Sequence, residues 1–395
     1  MRRSRDFDEI ESYHGVTEPA NLRHIRQKVW EKGLAGDWKR MVEATGESSL
    51  LCYRAEVESA MRTDGYSGIS LLGLQDFPGQ GTALVGMMNA HLQHKPYGFA
   101  KPERFAAFFR DVLPLVLLER YTYTAGDTMD FCLRIANYGK QDLSGKAQWR
   151  LRGSGFDRCG EIRDITAQAG SLTEPIKISV LLEGITKPSK LTLTLVYCGH
   201  ENTYPVWVYP DEKSVCPDNV YECRTLDEKA VRTLQEGGDV YLSPDSTPQA
   251  LPHSIKAQFS PDFWSVCTFP QQEGGMGQLI DTDHPIFQSF PTESYNNWQW
   301  WPMANQRAMI LPERIRCIVT EMDSYAFLRP MAKLFECRCE QGRLMVSSLN
   351  LHNLRQFPEA RALQKAIYDY MASPGFAPEQ KLTLSWIRTL FQKTQ

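Results

Sequence analysis

The sequence contains no stretch of about 20 apolar residues, so no segment reads as a membrane-spanning helix. Met1 to Arg26 carries charge throughout and offers no apolar core for an export signal, which predicts a cytoplasmic chain as sequenced, or a periplasmic or secreted one if the N-terminus is truncated. Missing too are GxxxxGK[ST], HExxH, GxSxG and a GxGxxG between strand and helix, so nucleotide-binding, zinc-protease and lipase classes lose their support. Lys plus Arg number 44 against 47 Asp plus Glu, a net charge of −3 with no long run of one sign. Neither nucleic acid nor an anionic membrane is therefore an expected partner. Ten cysteines form no CxxC pair. Cys337 and Cys339 fall at strand period with both side chains on one face, and the set reads as reduced core thiols rather than metal ligands. His91 and His94 could share one helix face, but no third ligand is near, so a solvated helix end is the reading. No metal and no cofactor is expected.

What the sequence does contain is a globular balance, 42% hydrophobic and 23% charged over 395 residues, long enough for two or three domains at roughly 150 residues each. Glu18 to Thr63 is patterned as helix, with Leu22, Ile25, Val29 and Trp30 on one stripe and Leu51, Tyr53, Val57 and Met61 on another. Gly68 to Asp76 reads as a buried strand opening into a Gly/Pro loop, Phe77 to Thr82, with helix-like segments over Thr82 to Leu92 and Pro102 to Val112. From Pro114 the period becomes that of strands: Leu115 to Tyr123, Met129 to Ala136, Ala147 to Leu151, Ile176 to Leu182, Lys190 to Tyr197 and Thr203 to Val208 predict an antiparallel β-sandwich. After Pro210, a helix over Leu226 to Glu236, strands over Asp239 to Ser243, Arg314 to Thr320, Ala332 to Cys339 and Arg343 to Asn350, and a helix over Pro358 to Met371 predict a doubly wound, flavodoxin-like α/β domain. The expected fold class is multidomain α/β plus all-β.

Two segments are candidates for chemistry. Gln75, Asp76 and Gln80 lie just past the expected buried strand, where ligands meet parallel sheets, and Gly79 and Gly81 would let backbone approach closely. Alternatively, Asp76 caps the helix that follows. Trp298, Trp300 and Trp301 stand with Tyr295 in seven residues amid Asn and Gln. Aromatic faces stack on sugar rings and amides bond hydroxyls, so the composition suits carbohydrate; core packing is the other reading.

Leu72 to Gly86, with Tyr53 to Thr63 and Gly65 to Ser70, resembles the last part of the catalytic barrel in a subgroup of family 2-like glycoside hydrolases from gut bacteria. Phe290-Pro-Thr-Glu and Asn297-Trp-Gln-Trp-Trp-Pro302 resemble segments of β-galactosidase-like, sugar-binding members. The resemblance implies three parts: the C-terminal portion of a (β/α)8 TIM barrel over 1–113, mostly helical with one or two strands, a β-sandwich over 114–212, and the flavodoxin-like domain over 213–395. The relatives' nucleophilic glutamate precedes the position of Phe7 to Ile10, where this chain has Met1-Arg-Arg-Ser-Arg5, so the catalytic residues stay unassigned. Fewer than the roughly 200 residues of a closed barrel precede the sandwich.

The expected function is that of a glycoside hydrolase-related protein acting on β-linked carbohydrate, truncated or split, with Gln75, Asp76, Gln80, Trp298, Trp300 and Trp301 lining the sugar site. The alternative is a non-catalytic carbohydrate-binding or assembly module, whose barrel face is completed by a partner chain or by self-association. An esterase has no nucleophile motif to support it.

Overall fold

The computed structural model describes residues 5–15, 18–77, 86–260 and 274–392. The chain is mixed α/β. It divides into two compact units, one of Met1–Ser49, Gly73–Ala100 and Lys213–Gln395, the other of Leu50–Leu72 and Lys101–Glu212.

In the first unit, helix α1 (Ala20–Glu31) buries Leu22, Ile25 and Val29, spaced three and four apart so that one stripe faces inward. Helix α2 (Trp38–Met61) begins with Trp38, whose ring stacks on Phe7 at 5.4 Å. Leu328 joins these residues in one apolar cluster.

No barrel stave forms among the described residues of 5–111, where only single bridges pair Gln75 with Met88 and Met88 with His94. The segment expected as a buried strand, Gly68 to Asp76, forms no strand: it has only a single bridge at Gln75, and although Asp76 is buried, Leu72 is 96% exposed. Gly65 and Gly73 hold φ of +78° and +89°, which ends extended backbone on either side. Of the helix expected over Thr82 to Leu92, residues 82–85 lie outside the described residues. Residues 86–92 form a turn in which Met88 exchanges backbone hydrogen bonds with Leu74 and Asp76. The helix expected from Pro102 stops early: α3 spans Pro102–Ala106, and strand β1 starts at Val112.

The second unit holds two sheets around one core. Strands β1 (Val112–Leu118), β3 (Thr128–Asn137), β6 (Ser171–Leu172) and β7 (Ile176–Leu181) form one sheet. The other runs β2-β9-β8-β4-β5, with β2 (Thr122–Thr124), β4 (Leu143–Gly153), β5 (Phe156–Ala167), β8 (Ser189–Tyr197) and β9 (His200–Tyr209). Alternation places Leu191, Leu193, Leu195 and Tyr197 of β8 inward with Phe131, Leu133 and Ile135 of β3. Strand β5 has no counterpart in the sequence reading. It is an edge strand carrying Arg158, Glu161 and Arg163, the charged dress that blunts an open edge and hides its apolar period. Within this unit Glu58 of α2 is buried. It accepts hydrogen bonds from Arg54 Nε (2.8 Å), Tyr204 Oη (2.8 Å) and Asn202 Nδ2 (3.3 Å).

The large sheet of the first unit runs β10-β11-β17-β16-β14-β12. Its strands are β10 (Val220–Cys223), β11 (Asp239–Leu242), β12 (Ser254–Lys256), β14 (Arg307–Ile310), β16 (Met331–Cys339) and β17 (Gly342–Ser347), with β15 (Val319–Asp323) on β16 and β13 (Gly275–Ile280) on β15. Only β10, β11 and β17 are mutually parallel; every other pair is antiparallel. The doubly wound, flavodoxin-like expectation is corrected here. The two-residue link from Cys339 to Gly342 makes β16 and β17 a hairpin, and no crossover helix intervenes. The parallel part is a βαβ unit whose helix α4 (Glu228–Gln235) is capped by Asp227 and buries Ala230 and Leu234. Helices α5 (Trp301–Ala304), α6 (Pro358–Ala372) and α7 (Leu384–Thr389) follow. Cys337 and Cys339 are core residues as expected, whereas Cys159 and Cys198 are exposed.

Candidate functional site

Asp76 is fully buried. Its Oδ1 accepts from Gly86 N (2.9 Å) and from Lys95 Nζ (2.9 Å). A Cβ on Gly86 would lie 2.3 Å from the Gln75 carbonyl carbon, so only glycine lets the two backbone segments cross this closely. The carboxylate therefore ties a crossing together and is closed to a sugar. Gln75 is half-buried beside it, and Gln80 lies outside the described residues. Glu9 stands nearby, accepting from Asn89 Nδ2 (2.9 Å). Burial raises its carboxyl above the ordinary value and the charge of Asp76 pushes the same way, against the Asn89 hydrogen bond.

The three tryptophans divide. Trp300 has no exposed surface: it packs edge-on against Phe290 at 5.6 Å and donates Nε1 to Thr292 Oγ1 at 2.8 Å. It is a core residue. Trp298 is half-buried and stacks on Phe259, centroids 5.1 Å apart and planes 13° apart. Trp301 is 53% exposed, 5.0 Å from Phe259 and 6.3 Å from Trp298. The amides among them face inward. Asn297 Oδ1 accepts from Gln299 N, Gln299 Nε2 donates to Pro291 O, and Asn296 bridges Gln278 N and Phe259 O. The amides are thus committed to internal hydrogen bonds, and what the cluster offers solvent is ring surface. The turn is held from beneath: buried Lys333 donates Nζ to Ala304 O at 2.5 Å, at the carboxyl end of α5, where a cation is favoured.

A second polar group, missed in the sequence, lies on the loops leaving β11 and β17. Parallel sheets collect ligands at their carboxyl ends. His352 Nε2 donates to Asp245 Oδ1 at 2.8 Å, and its Nδ1 stands 3.4 Å from Ser243 Oγ. Burial lowers the His352 pKa and the Arg224 charge adds to that, against the pull of the Asp245 hydrogen bond; the Nε2 proton is assigned by the Asp245 contact. The His352 and Asn353 hydrogen bonds hold the Asp245 carboxyl below its ordinary value. Asn353 Nδ2 donates to Asp245 Oδ1 (3.0 Å) and to Asn350 Oδ1 (2.9 Å). Asn350 Nδ2 donates to Gln306 Oε1 (3.0 Å), and Gln306 Nε2 to Pro302 O (2.9 Å), next to Trp301. An unbroken chain of hydrogen bonds links Asp245 to the Pro302 carbonyl, one residue from Trp301. Strands β11 and β17 were legible in the sequence, though β17 ends at Ser347 rather than at Asn350, and the pairing of Asp245 with His352 joins residues 107 positions apart.

Two family models match the chain, each over less than half of it. A domain of unknown function (DUF8487) covers residues 221–392, and a domain of unknown function (DUF8488) covers 127–210. Comparison with curated proteins finds no match. Among solved structures, the chain is weakly similar to a DNA glycosylase of Pseudomonas fluorescens, at 8% identity over 27% of this chain and 33% of that one, TM-score 0.22. It is likewise similar to a β-glucosidase of Listeria innocua, at 12% identity over 26% and 16% of the two chains, TM-score 0.20. A third is a cycloisomaltooligosaccharide glucanotransferase of Paenibacillus, at 14% identity over 33% and 20%, TM-score 0.22. The chain spans a third or less of each of these proteins, and likeness at this level does not establish a shared fold.

Proposed function

We propose that this chain is a glycoside hydrolase-related protein that binds β-linked carbohydrate and does not cleave it. The reading rests on one observation: Trp301 presents an exposed ring braced by Trp298 and Phe259. A flat apolar face held by its neighbours loses little side-chain entropy when a pyranose stacks on it. Retaining hydrolysis needs two carboxyl groups about 5 Å apart that a sugar can reach. Asp76, the carboxylate singled out from the sequence, is sealed and committed to Lys95 and Gly86. The test is calorimetric titration with lactose and cellobiose beside an assay with aryl β-glycosides. Binding without turnover, lost in Trp301→Ala, is the expected result; absence of binding to either disaccharide overturns the reading, and turnover overturns its non-catalytic part.

A further inference from the structure

We propose that Asp245 is the hydroxyl acceptor of the carbohydrate site, positioned by His352 and Asn353; this rests on the reading above and adds its specificity-determining residue. Three observations carry it. First, the Asp245 side chain is 54% exposed although it accepts two hydrogen bonds, both on Oδ1. Among the described residues Oδ2 has no partner, so the carboxylate is fixed on one side and open on the other. Second, the group that fixes it is itself anchored: the His352 side chain is only 8% exposed, and its second nitrogen faces the buried Ser243 hydroxyl. The hydrogen bonds from His352 and Asn353 favour the ionised carboxylate, and an ionised oxygen is the stronger acceptor for a sugar hydroxyl. Third, Asn353, Asn350 and Gln306 connect this carboxylate through consecutive hydrogen bonds to the Pro302 carbonyl, one residue from Trp301. An exposed aromatic face and an ordered acceptor tied to the same turn offer a saccharide one contact for a C–H face and one for a hydroxyl edge.

The experiment is titration of the full chain with lactose and cellobiose. Asp245→Asn keeps the side-chain shape and loses the charge, and it is expected to weaken binding about tenfold, the scale of one hydrogen bond to a charged group. Asp245 is exposed, so the variant folds, which a thermal melt checks. If wild type binds and Trp301→Ala does not, while Asp245→Asn binds like wild type, the inference falls and the carbohydrate reading stands. If wild type binds neither sugar, both fall. His352→Gln, whose amide can still donate, is expected to retain more affinity than His352→Phe; equal affinities overturn the positioning role.

Discussion

Lys333 Nζ stands 3.2 Å from Glu321 Oε2, with both side chains fully buried. The same ammonium reaches the carbonyls of Met303 and Ala304 at the end of α5, so one buried cation joins β15, β16 and the turn that carries Trp301. Removing the cation leaves the buried Glu321 carboxyl without its ion-pair partner and the Met303 and Ala304 carbonyls without their donor. Lys333→Met is expected to cost about 3 to 5 kcal/mol by urea denaturation and to weaken sugar binding with it.

The pair also sets a pH dependence. Burial raises the Glu321 carboxyl to about 7, above its ordinary value, against the pull of Lys333. A group whose folded pKa is raised stabilises the fold fully below its unfolded pKa, and that contribution is lost as pH rises through about 7. Wild type is expected to lose stability relative to Glu321→Gln between about pH 5 and about pH 8, measured as the difference in unfolding free energy. A difference that stays flat over that window contradicts the assignment.

The two neighbouring tryptophans are expected to behave oppositely. Trp300→Ala empties a sealed site against Phe290 and Phe287 and costs about 3 to 5 kcal/mol. Trp301→Ala removes an exposed ring and changes stability by no more than about 0.5 kcal/mol while abolishing disaccharide binding. Thermal melts and calorimetry on the same two proteins separate the roles.

Asp76 is expected to act on stability alone. Asp76→Asn exchanges a carboxylate that accepts from Gly86 and Lys95 for an amide and costs about 1 to 3 kcal/mol, with sugar affinity unchanged. A loss of affinity without a loss of thermal midpoint would return Asp76 to the ligand site.

In the second unit, Glu58→Gln leaves the Arg54 guanidinium without its carboxylate and is expected to cost about 3 kcal/mol. Tyr204→Phe removes one hydrogen bond to the same carboxylate and is expected to cost about 1 kcal/mol. Denaturant midpoints check both.

Much of the fold was legible because periodicity is local. The stripe Leu22, Ile25, Val29 and the alternation Leu191, Leu193, Leu195 report burial from a few neighbouring positions and are buried, whereas Trp30, read onto the same stripe, is 47% exposed. Edges and directions were less so. Strand β5 disguised its period with charge, and the run Gly68 to Asp76 looked like a buried strand because composition does not say whether a neighbouring ladder exists. Strands β16 and β17 read correctly as strands, yet their antiparallel pairing depends on a turn whose geometry the spacing left open.

For the site, residue type alone marked Trp298, Trp300 and Trp301 as aromatic payload amid amides. Which ring faces water depends on what packs against each, and tertiary structure assigned Trp300 to the core and Trp301 to the surface. Composition likewise marked Asp76 as a carboxylate near a glycine loop, and the backbone crossing at Gly86 turned it inward. The Asp245 and His352 contact had no local signature, because hydrogen bonds between distant loops follow from how strands are ordered in a sheet, and that order is settled only when the whole core closes.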